Sequence, residues 1–215
     1  MTTVLLTGTA TEVGKTWWGR ATLDVLRVHG VAVAARKPAQ SYSSEELGAT
    51  DAEILGHASG ETAEIVCPSH RWYPVPMAPP MAADALDLPA FTIADLAREI
   101  APSPDATITI VEGAGGPRSP LASDGDTVTL GRAIRADAIV LVAPAGLGTI
   151  NAVRLAAAAL QEGLAGVPVT VALNHYDAAE DLHRRNHGWL IAAGFHLITT
   201  PAELAEVLTE LARRR

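Results

Sequence analysis

Residues 8 to 16 read Gly8-Thr9-Ala10-Thr11-Glu12-Val13-Gly14-Lys15-Thr16, directly after the apolar run Val4-Leu5-Leu6. A buried strand that delivers a glycine loop and opens a helix is suited to a nucleoside triphosphate. The glycines let backbone N–H groups approach phosphate oxygens, Lys15 can reach the β- and γ-phosphates, and the Thr16 hydroxyl can coordinate Mg²⁺. The spacing is unusual. Five residues separate Gly8 from Gly14 where the common phosphate loop has four, and Thr9 stands where the first glycine is expected.

Further groups able to do chemistry follow other apolar runs. Lys37 comes after Val31 to Ala35, and Pro38 biases it toward extended backbone. Alone it reads as a solvated strand-end lysine; beside a phosphate loop it reads as a second cation for charge developing in phosphoryl transfer. Glu112 follows Ile108, Ile110 and Val111 and precedes a glycine run, where an acid can bind a metal or orient a nucleophile. Asp51, after Thr50, suits a helix N-cap or a second carboxylate near Mg²⁺, and the residues alone favour the cap. Gly146-Leu147-Gly148-Thr149-Ile150-Asn151 opens an alanine- and leucine-rich helix whose free N–H groups suit an anion such as a carboxylate. His175, His183 and His187 lack an acidic partner that would complete a metal set and read as surface residues; Cys67 reads as a small apolar residue.

Six short aliphatic runs must position these groups: 4–6, 31–35, 107–111, 138–143, 167–173 and 195–198. Apolar on both faces, they alternate with helical patterns at 17–29, 51–59, 91–100, 150–162 and 201–213, which is the pattern of βαβ units. The expected fold is α/β, a three-layer arrangement of the P-loop nucleoside-triphosphatase type with a mostly parallel central sheet, in one domain. Ligands in such sheets bind beyond the carboxyl ends of the strands, where the residues named above fall. Prolines at 68, 74, 76, 79, 80 and 89 exclude a regular helix or central strand from Cys67 to Pro89. That stretch is expected to be an ordered loop, either a pocket wall faced by Trp72 and Tyr73 or a surface crossover.

The 215 residues are 48% apolar and 19% charged, enough for one substantial core. A net charge of −8 disfavours a nucleic-acid partner, and Arg213, Arg214 and Arg215 read as the basic end of a terminal helix. No run approaches the roughly 18 to 20 apolar residues of a membrane span, and the amino terminus lacks secretory features, so a cytoplasmic location is expected.

With the phosphate loop, Lys37-Pro38-x-x-Ser41, Asp51, Pro79, Glu112-Gly-Ala-Gly-Gly116 and Gly148-Thr-Ile-Asn151 in order, the chain resembles the dethiobiotin synthetases, ATP-dependent carboxylating cyclo-ligases that share the five-residue loop spacing. The resemblance covers residues 4 to about 174. It implies a homodimer that binds MgATP, CO₂ and 7,8-diaminononanoate. It places Glu12, Val13, Gly14, Lys15, Thr16 and Asn174 around the nucleotide, with Asn174 on adenine. Thr16, Asp51 and Glu112 fall on Mg²⁺, while Lys15, Lys37 and Ser41 act on the γ-phosphate and carbamate. Thr11, Lys37, Ser41, Leu147, Gly148 and Asn151 contact the diamino acid, the 147–151 turn reaching the neighbouring subunit's site. Ala10, Tyr42, Pro117-Arg118, Ala152 and His175-Tyr176 depart from the family pattern, mostly around the substrate. A cyclo-ligase for another diamine is therefore an alternative reading, and so is a partitioning-type P-loop ATPase switch, against which Thr9 and Ala10 stand where such switches carry a lysine.

Overall fold

A computed structural model describes residues 1–43, 45, 48–100 and 103–214; Arg215 of the basic end lies outside the described residues. The chain starts with strand β1 (Thr2–Gly8), the phosphate loop and helix α1 (Lys15–Val28). Strand β2 (Val33–Arg36) leads to a short strand β3 (Gln40–Ser41), then to helices α2 (Asp51–Ser59) and α3 (Ala63–Val66). Strand β4 (Trp72–Tyr73) pairs with β3 and precedes helices α4 (Pro79–Ala85) and α5 (Ile93–Glu99). Strand β5 (Ile108–Glu112) is followed by a hairpin of β6 (Pro120–Ala122) and β7 (Gly125–Asp126), then by α6 (Thr127–Ala133). The remainder alternates: β8 (Ala138–Pro144), α7 (Thr149–Gly163), β9 (Val169–Asn174), α8 (Asp181–Ala192), β10 (His196–Ile198) and α9 (Pro201–Arg213).

The main sheet has the order β10-β9-β8-β1-β5-β2, and every pairing in it is parallel. Each of the six expected strands is present, their bounds shifted by up to two residues. Burial on both faces explains why they read as unbroken aliphatic runs. Alternate residues of β1 serve opposite layers: Val4 and Leu6 pack with Leu23, Leu26, Leu55 and Leu204 of α1, α2 and α9, and Leu5 packs with Val153, Leu160 and Leu190 of α7 and α8. A third cluster, with Tyr73, Phe91, Leu96, Val111 and Leu121, fastens the proline-rich stretch to the carboxyl end of β5.

That stretch corrects the expectation of an ordered loop without regular elements, since it carries β4 and α4. Its prolines sit where helices and edges accept them: Pro79 and Pro80 fall in the first turn of α4, where the missing N–H has no intrahelical partner to lose. Trp72 and Tyr73 do not face the pocket. Tyr73 is buried against Phe91, and Trp72 donates its indole N–H to the Cys67 carbonyl at 2.8 Å. Asp51 is likewise not the cap of α2. Thr50 caps it, in a reciprocal box with Glu53, which frees the Asp51 side chain to face the site. Helices α6 and α8 were not foreseen; their apolar positions are too few to stand out from the flanking polar residues. Among the described residues, no helix is long and apolar enough to cross a membrane.

Candidate active site

The phosphate loop joins the central strand β1 to α1, so it opens at the carboxyl edge of the sheet. Gly14 adopts φ +92°, and a Cβ there would stand 2.2 Å from Asn174 Nδ2, so close packing and left-handed backbone both demand glycine. Asn174, at the end of β9, donates from Nδ2 to the Val13 carbonyl at 3.0 Å. The residue expected to meet adenine thus also braces the loop. Lys15 begins α1, and its Nζ donates to the Ala10 carbonyl at 3.0 Å, across the loop. Burial pushes the Lys15 ammonium below its usual value, although Glu112 and Asp51 pull it back up.

Beside the loop, groups from four elements converge. Thr16 Oγ1 lies 2.8 Å from Asp51 Oδ1 and 3.0 Å from Glu112 Oε1. Lys37 Nζ lies 2.5 Å from Glu112 Oε1 and 2.6 Å from Asp51 Oδ2. Glu112 is fully buried and Lys37 nearly so. Burial works against the Lys37 charge, but the two carboxylates outweigh it and hold the ammonium above its ordinary value. Asp51 is opposed by burial too, yet Lys37 keeps its carboxyl below the usual range. Glu112 goes the other way: desolvation, with Asp51 as a like charge, raises it despite Lys37.

These groups line a cavity of about 670 Å³ that also takes in Thr11, Glu12, Gly14 and Ser41. The proline-rich stretch supplies one wall, through Pro76, Met77 and Pro79, and Ser41 Oγ donates to the Met77 carbonyl at 2.6 Å. Opposite, Ala114, Gly115 and Ser119 follow β5; the Ser119 hydroxyl accepts from the Gly116 N–H at 2.9 Å and holds that turn. Tyr42 and Trp17 line the cavity as well, whereas Arg118 turns outward to Asp126 and Glu162.

Val13, Leu147, Gly148, Asn151 and Asn174 are not among the residues lining the cavity. The 147–151 turn leaves Leu147 91% exposed, an unusual place for a large apolar side chain. Asn186 of α8, nine-tenths buried, holds this turn by donating from Nδ2 to the Ala145 and Gly146 carbonyls, each at 2.9 Å. Reading the residues did not single out Asn186, Trp17 or Gln40, whose Oε1 accepts from the Ala52 N–H at 3.0 Å and ties β3 to α2. No local spacing marks them. His183 and His187 pack on Tyr176 at the surface.

Among the described residues no three His, Cys, Asp or Glu side chains group as a metal site. The oxygen set here is one hydroxyl and two carboxylates, and Glu112 Oε2 is buried without a hydrogen-bond partner. Hard oxygen donors, few in number, fit Mg²⁺, which takes its remaining ligands from phosphate and water.

A parallel sheet with a glycine loop after its central strand, a lysine and a threonine opening the next helix, and acids at the neighbouring strand ends define a P-loop nucleotide-dependent protein. Residues 2–194 match the AAA domain family. The chain is 39% identical over 162 residues to the ATP-dependent dethiobiotin synthetase BioD of Rhodococcus jostii, covering 74% of this chain and 68% of that one. It is 35% identical over 184 residues to the protein of the same name from Anaeromyxobacter dehalogenans, covering 83% and 78%. The structure of a plasmid partition protein from Borrelia burgdorferi superimposes with a TM-score of 0.58 over 99% of this chain and 98% of that one, at 10% identity, a likeness of fold alone. The chain belongs to the ATP-dependent dethiobiotin synthetase family.

Proposed function

We propose that the chain is a cytoplasmic, homodimeric cyclo-ligase that uses MgATP and CO₂ to close 7,8-diaminononanoate into the cyclic urea dethiobiotin. One amine of the substrate adds to CO₂ and loses a proton, giving a carbamate. A carbamate oxygen attacks the γ-phosphorus of ATP, and ADP departs. The second amine attacks the carbonyl carbon of this carbamic–phosphoric anhydride, expelling phosphate and a proton and closing the five-membered ring. The convergence of Lys15, Lys37, Thr16, Asp51 and Glu112 on one cavity carries this reading.

In it the loop N–H groups from Glu12 to Thr16 hold the phosphates. Lys15 and Lys37 supply preorganised positive charge where it develops, an effect that reaches about 10² to 10³ in rate for one well-placed donor. Thr16, Asp51 and Glu112 would hold Mg²⁺, which when bound neutralises phosphate charge. Ser41 and Thr11 orient the carbamate and diamine, and Asn174 meets the adenine. The turn with Leu147, Gly148 and Asn151 all exposed suits a role in the partner subunit's site, on the substrate carboxylate. Holding carbamate and γ-phosphate at attack distance supplies roughly 7 to 11 kcal/mol in favourable cases.

The test is phosphate release by purified protein with MgATP and bicarbonate, with and without 7,8-diaminononanoate, and mass spectrometry for the cyclic urea. Diamine-dependent phosphate with matching product is the expected result. Tyr42 and Trp17 in the cavity make a panel of other diamines the companion measurement, since turnover of one of those alone assigns a different substrate.

A further inference from the structure

The chain has two lysines, Lys15 and Lys37, and both line the same cavity. They are engaged differently. Lys15 reaches across the phosphate loop to a backbone carbonyl, while Lys37 is clamped between the carboxylates of Asp51 and Glu112 at 2.6 and 2.5 Å. Those carboxylates also meet the Thr16 hydroxyl, through Asp51 Oδ1 and through the same Glu112 Oε1, so the lysine sits on the two side chains that are the site's acidic donors for a divalent cation. A cation bound at about 2.0 to 2.1 Å from oxygens of these carboxylates is brought close to an ammonium held on the same two side chains, and the two positive charges repel. Repulsion between the two is weakly screened, because Lys37 is 3% exposed and Glu112 fully buried.

We infer that Lys37 is the site's internal counter-cation and that entry of the divalent cation displaces its ammonium from Asp51 and Glu112, releasing it to act on the transferring groups only when the site is loaded. The lysine keeps the fully buried Glu112 and the part-exposed Asp51 neutralised before loading, and for Glu112 an unpaired buried charge is costly. It then becomes available to the carbamate and γ-phosphate at the moment the cation takes over the acids. The inference rests on the reading of Thr16, Asp51 and Glu112 as cation donors, and it concerns the lysine rather than the diamine.

Because there are only two lysines, protein labelled with ¹³C at the lysine side chain gives two Cε resonances, one of them assigned to Lys37 by its loss in Lys37→Met. With ADP saturating, Mg²⁺ is titrated into the protein, and cation binding is followed separately by Mn²⁺ electron paramagnetic resonance. The expected result is a saturable shift of the Lys37 resonance at the cation concentrations that load the site, and Mn²⁺ affinity in Lys37→Met about tenfold tighter than in the wild type. Cation binding that leaves the Lys37 resonance unmoved, or unchanged or weaker Mn²⁺ affinity in a folded Lys37→Met, overturns the inference while the cation site stands. Failure of Mn²⁺ to bind overturns the cation-site reading and the inference with it. If Lys37→Met does not fold, the titration of the wild-type resonance decides alone, with its assignment taken from Lys37→Arg.

Discussion

At the scale of single residues, the site depends on charges that few other positions could supply. Replacing Lys37 with alanine is expected to lower kcat about 10² to 10³-fold while the nucleotide dissociation constant changes little, since its ammonium acts on charge that develops during transfer. Phosphate-release kinetics beside nucleotide titration check this, and unchanged turnover would remove Lys37 from the mechanism. Gly14→Ala tests the loop. Its Cβ would overlap the Asn174 amide, and φ +92° is strained for alanine, so nucleotide affinity should fall about tenfold or more even if the fold survives. Gly14 stood out in the amino-acid order, because a phosphate loop sets glycine, lysine and hydroxyl at adjacent positions, whereas Lys37 stood out only through its place after an aliphatic run in a chain that has such a loop. Asp51 was half legible: its type suited a metal ligand, but the competing role of cap was excluded only when Thr50 and Glu53 were found closing the capping box.

At the scale of elements, the proline-rich stretch shows where local pattern fell short. Six prolines argued against regular structure, yet α4 accepts two of them in its first turn, and β4 adds an edge to β3. What holds this wall is not local. Arg71 donates through Nε and Nη2 to the Glu99 carboxylate, both at 2.8 Å, and its guanidinium lies 4.2 Å from the centre of the Phe91 ring. Arg71→Ala leaves the half-buried Glu99 with only His70, whose Nε2 lies 3.3 Å from Oε2, and is expected to cost about 2 kcal/mol, measured by denaturant unfolding. The Arg71 hydrogen bonds hold the Glu99 carboxyl below its ordinary value, against the burial that would raise it. A depressed carboxyl stabilises the fold above its unfolded value of about 4.3 and loses that contribution as pH falls through the lower folded value. The melting temperature should therefore decline below about pH 4.3 in the wild type, and Glu99→Gln should flatten that part of the profile. A profile identical in both proteins would show that the pair does not govern acid stability.

At the scale of the whole molecule, the expected P-loop sheet is present with the strands in the order β10-β9-β8-β1-β5-β2, and the loop follows β1 while the 147–151 turn follows the neighbouring β8. That turn lies outside the cavity lining of its own chain. If it serves a second subunit, Lys37→Ala and Asn151→Ala should each be nearly inactive alone. Mixed and reassociated, they should recover about a quarter of wild-type activity, because half the dimers are mixed and each of those has one intact site. No recovery from the mixture, with dimers present by light scattering, would return the turn to its own subunit. The sequence by itself determined the α/β class, the six strands and the phosphate loop, because burial on both faces and the steric demands of a phosphate are written into neighbouring residues. Only the tertiary structure decided that Lys37 lies clamped between Asp51 and Glu112, that Asn174 braces Gly14, that Asn186 holds the 147–151 turn, and that Met77 rather than Trp72 or Tyr73 walls the cavity. These contacts join residues 14 to 161 positions apart, and what settles them is the order in which parallel strands are laid side by side, a choice no local stretch of residues carries.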